Sequence, residues 1–119
     1  MTYDVEIVLR EQNTATTTRI DHDMPAQAWT ERDVKAVLEQ MLLAIDKARD
    51  PGGPDDRYVA LRGFSWIVEP FGETGDVVIA VEIPSGCAVA GPFRIGQRHL
   101  DEMVRRVLAD AALPRPTVH

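Results

Sequence analysis

Two segments of the chain repeat one apolar spacing, i, i+3, i+4, i+7, i+8 and i+11, from Val34 to Ile45 and from Leu100 to Ala111. In an α-helix, residues at these positions line up along one side of the helix. The sequence therefore predicts two amphipathic helices, each of which needs an apolar surface to cover. Other segments show the two-residue alternation of β-strands and can supply that surface.

The first helix has a clear start signal. Thr30 is the expected N-cap, and Asp33 is placed at the third helical position to close a capping box. Trp29, just before the cap, can pack on Val34 one turn later. We expect this helix to run from Thr30 to about Arg49.

The second helix is expected to begin near Gly96, where Ile95 can pack on Leu100, and to end before Leu113. Beyond it, the two prolines of residues 114–119 cannot continue a helix. We expect residues 1–113 to form a single α+β domain and residues 114–119 to form a flexible tail.

The first two strands are predicted near the start of the chain. Residues 3–9 alternate apolar and polar side chains, which is typical of a strand with one buried face. Residues 14–22 are rich in threonine but contain little apolar mass. This composition predicts an edge strand or a strand that faces solvent.

A third strand is predicted from the aromatic residues in the middle of the chain. Phe64, Trp66 and Val68 share one side of this strand, which we expect to begin as early as Tyr58. Gly63 interrupts the pattern and indicates a bulge within the strand.

Residues 77–83 are apolar at nearly every position, which predicts a central strand covered on much of both faces. The Gly- and Pro-containing segment 84–93 is typical of a connection, with room for a short extra strand at 87–90. The element order is then β-β-α twice. We expect an α+β fold in which a four-stranded, mainly antiparallel sheet has both helices packed on one face.

The formal net charge of −6 disfavours nucleic acid as a partner, because binding to phosphates needs clustered positive charge. A basic protein or a cationic ligand fits this charge better. No apolar run approaches the roughly 20 residues of a membrane-spanning helix, and the first residues lack the basic and apolar regions of a signal peptide. We therefore expect a cytoplasmic protein that does not bind membranes.

One short cluster, Asp21-His22-Asp23, has metal-ligand character, since imidazole and carboxylate groups together suit a divalent cation. Consecutive strand residues point to opposite faces, so His22 projects away from both aspartates if the strand continues. A third ligand would have to come from elsewhere in the chain, for example His99 or Glu69. The pattern favours an exposed polar strand end; no metal site is predicted, and the three residues are kept as candidate binding groups.

Cys87, the single cysteine, follows Gly86 directly after an apolar strand, a position where nucleophiles are sometimes displayed. A reactive thiol needs a histidine or a helix N-terminus beside it, and no such group lies nearby in the sequence. His99, in the first turn of the second helix, could approach only if the connection folds back. We expect Cys87 to be a small packing residue and assign no catalytic residue, while Cys87 and His99 are kept as candidate binding groups.

The two tryptophans give the strongest functional hint. Trp29 and Trp66 most simply pack beneath the helices. A single layer of helices leaves the other side of the sheet to be explained, so either ring could line a ligand pocket or a partner surface. No phosphate-loop or dinucleotide-binding pattern occurs in the sequence, and no cofactor is predicted.

The sequence thus predicts a non-enzymatic protein–protein interaction module, such as a small acidic adaptor, an inhibitor or an antitoxin-like partner. It would bind another protein, or a second copy of itself as a homodimer, through the face or edge of its sheet. The alternative is a small-molecule-binding protein or a small enzyme that uses the loops at 21–23 and 84–93. An enzyme would require its candidate groups, His22, Cys87 and His99, to converge in a cleft.

Overall fold

The chain forms two long helices and one sheet in a computed structural model that describes residues 1–12, 14–54 and 57–112. A short 3₁₀ turn at Ala26–Ala28 precedes the first long helix. The remaining elements, in chain order, are β1 (Thr2–Leu9), β2 (Ala15–Asp21), α1 (Glu31–Arg49), β3 (Ser65–Phe71), β4 (Asp76–Ile83), β5 (Gly86–Phe93) and α2 (Gln97–Ala112).

All neighbouring strands are antiparallel, and their order across the sheet is β2-β1-β5-β4-β3. The described residues therefore form a sheet of five strands, and the prediction of four strands is wrong. The repeated β-β-α order is also wrong, because three strands precede α2. The Thr-rich strand β2 lies at an edge of the sheet, and the apolar strand β4 has a partner on each side, as their compositions predict.

The strand that the sequence analysis missed is β5, which occupies the middle of the sheet. Glycine and proline weaken strands, so this segment is typical of a connection. The glycines are needed because other backbone comes close: a Cβ at Gly86 would lie 2.6 Å from the carbonyl oxygen of Val8. Gly91 has a φ of +129°, and a Cβ there would lie 3.1 Å from the carbonyl oxygen of Val77. The short strand expected at 87–90 is therefore the centre of a full-length strand.

The third strand begins at Ser65 and not near Tyr58. Gly63, with a φ of +76°, lies in the segment before this strand, so the predicted bulge at Gly63 is wrong. The irregularity in the sheet falls in β4, where the register with β5 shifts between Val77 and Ile79. The glycine marks the backbone turn that leads into β3.

Both helices begin where the sequence predicts. Thr30 is the N-cap of α1, and Oδ2 of Asp33 accepts hydrogen bonds from the Thr30 backbone N–H at 2.9 Å and from its hydroxyl at 3.1 Å. Helix α2 follows Gly96, whose carbonyl accepts a hydrogen bond from the Leu100 N–H at 3.0 Å. The tail predicted at 114–119 lies outside the described residues.

The strand register sorts the side chains onto two sides of the sheet. On the side that we call core-facing, buried strand residues join buried residues of both helices in one cluster. The strand residues of this cluster include Tyr3, Val5, Ile7 and Leu9 of β1, Val68 of β3, Val77, Ile79 and Val81 of β4, and Ala88 and Ala90 of β5. The helix residues include Val37, Leu38, Met41, Val104 and Val107, so the core predicted from the apolar spacing is confirmed.

Replacing Leu38 with Ala should lower the free energy of unfolding by about 2–5 kcal/mol, because removing a fully buried leucine leaves a cavity. Gln40→Ala, at an exposed position of the same helix, is the matched control and should change that free energy by less than about 0.5 kcal/mol. Urea denaturation followed by circular dichroism measures both variants. Equal effects of the two substitutions would show that α1 does not bury its apolar side.

Candidate functional site

The second side of the sheet carries all six carboxylates of the strands, namely Asp4, Glu6, Asp21, Glu69, Asp76 and Glu82, and we call it the acidic face. Residues of this face pair directly with one another on adjacent strands; one such row across the sheet is Glu6–Val89–Ala80–Ile67. The other members of the face are Thr2 and Val8 of β1, Ala15, Thr17 and Arg19 of β2, Ser65, Ile67 and Phe71 of β3, Val78 and Ala80 of β4, and Cys87, Val89 and Gly91 of β5.

An apolar stripe crosses the acidic face. It consists of Val8, Cys87, Val89, Ala80, Val78, Ile67 and Phe71. Ile67 and Phe71 keep 51% and 52% of their surface exposed. Val78 is buried but is not a member of the core cluster, and its Cγ1 would lie 3.2 Å from a Cβ at Gly91. The stripe is therefore an apolar surface separate from the core.

Carboxylates border the apolar stripe on both sides. Asp4 and Glu6 lie on β1 at one side of the stripe. Glu82 lies on β4 opposite Cys87, and Glu69 lies on β3 between Ile67 and Phe71. Arg19 is the only lysine or arginine within the five strands of the described chain, and its Nε lies 3.2 Å from Oδ1 of Asp4. The acidic face thus combines an apolar centre with an excess of negative charge.

A cavity of ≈ 770 Å³ opens at one end of the acidic face, where the end of β1, the hairpin between β4 and β5, and the start of β3 meet. Four residues of the acidic face line it, namely Val8, Ser65, Glu82 and Cys87. Phe64 adds an apolar wall, and Arg10 adds a guanidinium whose Nη1 lies 3.4 Å from the Pro84 carbonyl oxygen. The cavity is therefore continuous with the apolar stripe and carries both signs of charge.

His22 has a structural partner. Its Nε2 lies 2.9 Å from Oδ1 of Asp33, and its ring meets Trp29 edge-on at a centroid distance of 5.7 Å. Asp21 and Asp23 are exposed and do not join this pair. Among the described residues, no group of three or more His, Cys, Asp or Glu side chains is arranged to hold a metal ion. His22 connects the end of β2 to the first turn of α1.

An aromatic cluster adjoins His22. The ring of Phe93 lies 5.3 Å from that of Tyr3 and 4.7 Å from that of Trp29, measured between centroids. Trp29 is buried, and its Nε1 donates a hydrogen bond to the Met24 carbonyl at 2.9 Å. Trp29 is therefore part of the core and does not line a binding surface.

Trp66 lies on the core-facing side of β3, opposite Val81. It is half-buried, and the guanidinium carbon of Arg105 lies 5.2 Å from its ring centroid, within the range of a cation–π contact. Ile67 and Phe71 lie on the other side of the same strand and are the more exposed apolar residues there.

His22, Cys87 and His99 are not brought together. Cys87 lies at the end of the sheet where β1 finishes, whereas His22 lies at the end where β1 starts. His99 is exposed in the first turn of α2, beyond the far end of β5. The stretch of β5 from Cys87 to Phe93 alone spans roughly 20 Å at the rise of a strand. These three groups therefore do not form a catalytic cleft.

The sequence pattern did not single out Ile67 and Phe71 as surface residues, and it indicated Glu69 only as a possible third metal ligand. A signal was present, because β3 is apolar at both of its alternating sets of positions, Trp66 and Val68 in one set and Ile67 and Phe71 in the other. A strand that is apolar on both sides either is covered on both or leaves one apolar side at the surface. Only the pairing with β4 decides which set faces the core.

Comparisons with known proteins found no match: no family model, no curated protein and no solved structure is similar to this chain. In the part of the chain that the structure describes, neither helix combines the length and apolar character needed to cross a membrane. The function is therefore inferred from the geometry and the charges of the acidic face.

The hydrogen bonds around Asp33 hold the pKa of its carboxyl below the ordinary value of 3.8. Burial is the largest single influence and acts in the opposite direction. This effect of burial is outweighed by hydrogen bonds with the Thr30 N–H, the His22 ring and the Thr30 hydroxyl, together with the electrostatic attraction of His22. The folded state therefore favours the ionised carboxylate.

Asp33→Ala should lower the free energy of unfolding by about 0.5–2 kcal/mol at neutral pH, because the bonds at the helix N-cap are lost. Glu31→Ala removes another acidic group of the first turn without removing those bonds and is the control. Folding lowers the pKa of Asp33. The stabilisation that its carboxylate provides is therefore fully present above the unfolded-state pKa of 3.8 and is lost as the pH falls through the folded-state pKa. Denaturation of the parent protein and the Asp33→Ala variant from neutral to acid pH tests this. A difference in free energy of unfolding that stays constant over the whole pH range would contradict it.

The Tyr3 hydroxyl is buried and makes no hydrogen bond with any described residue, and burial raises the pKa of this phenol to about 12. Tyr3→Phe should therefore leave the free energy of unfolding unchanged or raise it, since no bond is lost. Because the folded-state pKa of Tyr3 is raised, the free-energy difference between the parent protein and the Tyr3→Phe variant should be constant below pH 10. The parent protein should lose stability relative to the variant as the pH rises towards 12. Tyr58→Phe, at an exposed position, is the control. A Tyr3→Phe variant that unfolds more easily at neutral pH would show that the hydroxyl has a partner.

Proposed function

We propose that this protein is a non-enzymatic protein–protein interaction module, of the kind represented by small acidic adaptors, inhibitors and antitoxin-like partners, and that it docks through the acidic face. The observation that carries this proposal is the exposure of Ile67 and Phe71, at 51% and 52%, on one side of an edge strand. The half-buried Ala80 and Val89 extend this apolar surface onto β4 and β5, with buried Val78 beneath it. Exposed apolar surface of this kind marks interaction sites.

Both helices, on this proposal, pack on the core-facing side and leave the acidic face uncovered. The contacts of α1 with β1, β2 and β5, and of α2 with β3, support this arrangement. The single cluster that joins buried residues of both helices to one side of the sheet also supports it. A two-layer domain of this kind exposes its second sheet side to solvent or to a partner.

The charge of the acidic face favours a basic protein as the partner. Its strand positions hold six carboxylates and one arginine, Arg19, which is paired with Asp4. Arg94, directly after β5, pairs with Asp76, so four of the six carboxylates have no basic partner among the described residues. Complementary charge accelerates encounter and selects among partners more than it adds affinity. Association is therefore expected to be fast and to weaken as salt is added.

The protein would also bind a second copy of itself as a homodimer on this proposal. The two edge strands of the sheet differ in how well they can pair with that copy. Strand β3 carries Pro70, which lacks an N–H group and blocks edge pairing. Strand β2, at the other edge, contains no proline, and its threonines suit cross-strand pairing. Self-association of this chain would therefore use β2.

A small-molecule site is the alternative function, and the cavity of ≈ 770 Å³ favours it. Its volume lies within the range of roughly 300–1,000 Å³ that is typical of ligand pockets. Pro84, Gly86 and Cys87 from the loop region singled out in the sequence line this cavity, whereas Asp21, His22 and Asp23 do not. Arg10 and Glu82 would orient a ligand that carries both an anionic and a cationic group.

The docking role is tested with a photo-reactive amino acid placed at Ser65, an exposed position of the acidic face, in cells that naturally make the protein. Irradiation should give one adduct of defined mass, and Ile67→Ser with Phe71→Ser should abolish it in a variant that circular dichroism shows to be folded. The same photo-reactive residue at Tyr58, which is 82% exposed and lies outside the sheet, is the control. No adduct from Ser65, or the same adducts from Ser65 and Tyr58, would contradict the proposal.

A further inference from the structure

Resting on the docking function above, we propose that the acidic face receives a basic amphipathic α-helix of a partner protein. The apolar side of this helix lies along the apolar stripe, and its lysines or arginines face the carboxylates on the two borders.

The distance between the two carboxylate borders fits the width of one helix. Glu6 on β1 is two strands away from Glu82 on β4 and three strands away from Glu69 on β3. At about 4.8 Å per strand, the borders lie about 10–14 Å apart. A helix with its side chains is about 10–12 Å across. One helix therefore fills the space between the borders and brings its flanking side chains to both of them.

The length of the stripe fits three to four helical turns. It crosses the face obliquely from Cys87, beside Val8, to Phe71 at the far end of β3. The extent of β3 from Ser65 to Phe71 is about 20 Å at the rise of a strand, which about 13 helical residues span. A helix with apolar residues at i, i+3, i+4, i+7 and i+11 would place one side chain after another along the stripe.

The cavity gives the helix an anchoring point at the Cys87 end of the stripe. Val8 and Cys87 belong to both the stripe and the cavity, and Phe64 forms a further apolar wall. The binding energy of a helix in a groove concentrates in a few large apolar side chains that enter pockets. A bulky apolar residue at one end of the partner helix would occupy this cavity, with Glu82 beside it to meet a basic neighbour.

Charge argues against three other occupants of the acidic face, namely a second copy, a nucleic acid and an anionic membrane. A second copy packed face to face would place the strand carboxylates of the two copies against each other, with Arg19 already paired to Asp4 and Arg94 to Asp76 on each copy. Like charges set against each other across an interface are destabilising. A nucleic acid or an anionic membrane surface meets the same repulsion. A cationic helix removes this repulsion instead of adding to it.

The test uses a synthetic helical peptide of about 14 residues, with leucines at i, i+3, i+4, i+7 and i+11 and lysines on both flanks. A matched peptide has glutamine in place of each lysine, and a third has the residues of the first in scrambled order. Amide chemical shifts of the protein locate binding, and the rate of Cys87 alkylation gives an independent measure of occupancy of the stripe. The lysine peptide should shift the amides of Ile67, Ala80 and Val89, slow alkylation of Cys87, and bind more tightly than the other two peptides.

Charge selection is tested on the protein side with Glu69→Gln and Glu82→Gln. Each should weaken binding of the lysine peptide by about 1.5- to 5-fold, the range of exposed ion pairs, and should leave binding of the glutamine peptide unchanged. Glu102→Gln, at an exposed position of α2, is the matched control and should have no effect.

The outcomes separate this inference from the docking function on which it rests. Equal binding of the lysine and glutamine peptides along the stripe would overturn the basic partner and leave docking standing. Equal binding of the scrambled peptide would overturn the helix. Shifts confined to amides of α1 and α2 would overturn both proposals. Concentration-dependent shifts of the stripe amides without any peptide would identify a second copy as the occupant and overturn the inference.

Discussion

The central position of β5 is the constraint on which the rest of the structure depends. Strands β1 and β2 form one hairpin, β3 and β4 form another, and β5 is the strand that pairs with both. An isolated hairpin is at best marginally stable, so the sheet needs this connection. The core-facing residues of β5, Ala88 and Ala90, are small and fully buried, and α1 contacts the strand on which they lie. The close approach of Gly86 to Val8 completes the pairing with β1.

The division of the sheet into two chemically different sides follows from this arrangement. Every strand carboxylate lies on one side, and nearly all of the buried apolar residues of the strands lie on the other. Apolar residues such as Ile67 and Val78 nevertheless continue onto the acidic face. A surface with carboxylates around an apolar centre stays compatible with water while retaining area that a partner can bury. The same composition would be unfavourable in a core, where unpaired carboxylates are costly.

Local signals made part of the fold predictable from the sequence. The cap at Thr30, the alternation in β1, the Thr-rich edge strand and the apolar sides of both helices depend on residues close to one another in the chain. Strand β5 was not predictable in this way, because its glycines are explained only by the backbone of β1 and β4 beside them. The residues of the acidic face were harder still to predict from the sequence. The assignment of Ile67 to a surface needs the register with β4, and the pairing of His22 with Asp33 needs the turn that brings β2 to α1.

The most direct test of the account is whether the acidic face of the free protein is open to solvent. Hydroxyl-radical labelling followed by mass spectrometry reports the exposure of individual side chains. Phe71 should retain a large fraction of the oxidation rate that it has in the unfolded chain, as exposed Tyr58 does, while fully buried Phe93 should be protected. Ile67 should likewise retain a large fraction of the oxidation rate that it has in the unfolded chain. Protection of Phe71 and Ile67 to the level of Phe93 in the free protein would show that the face is already covered and would contradict the account.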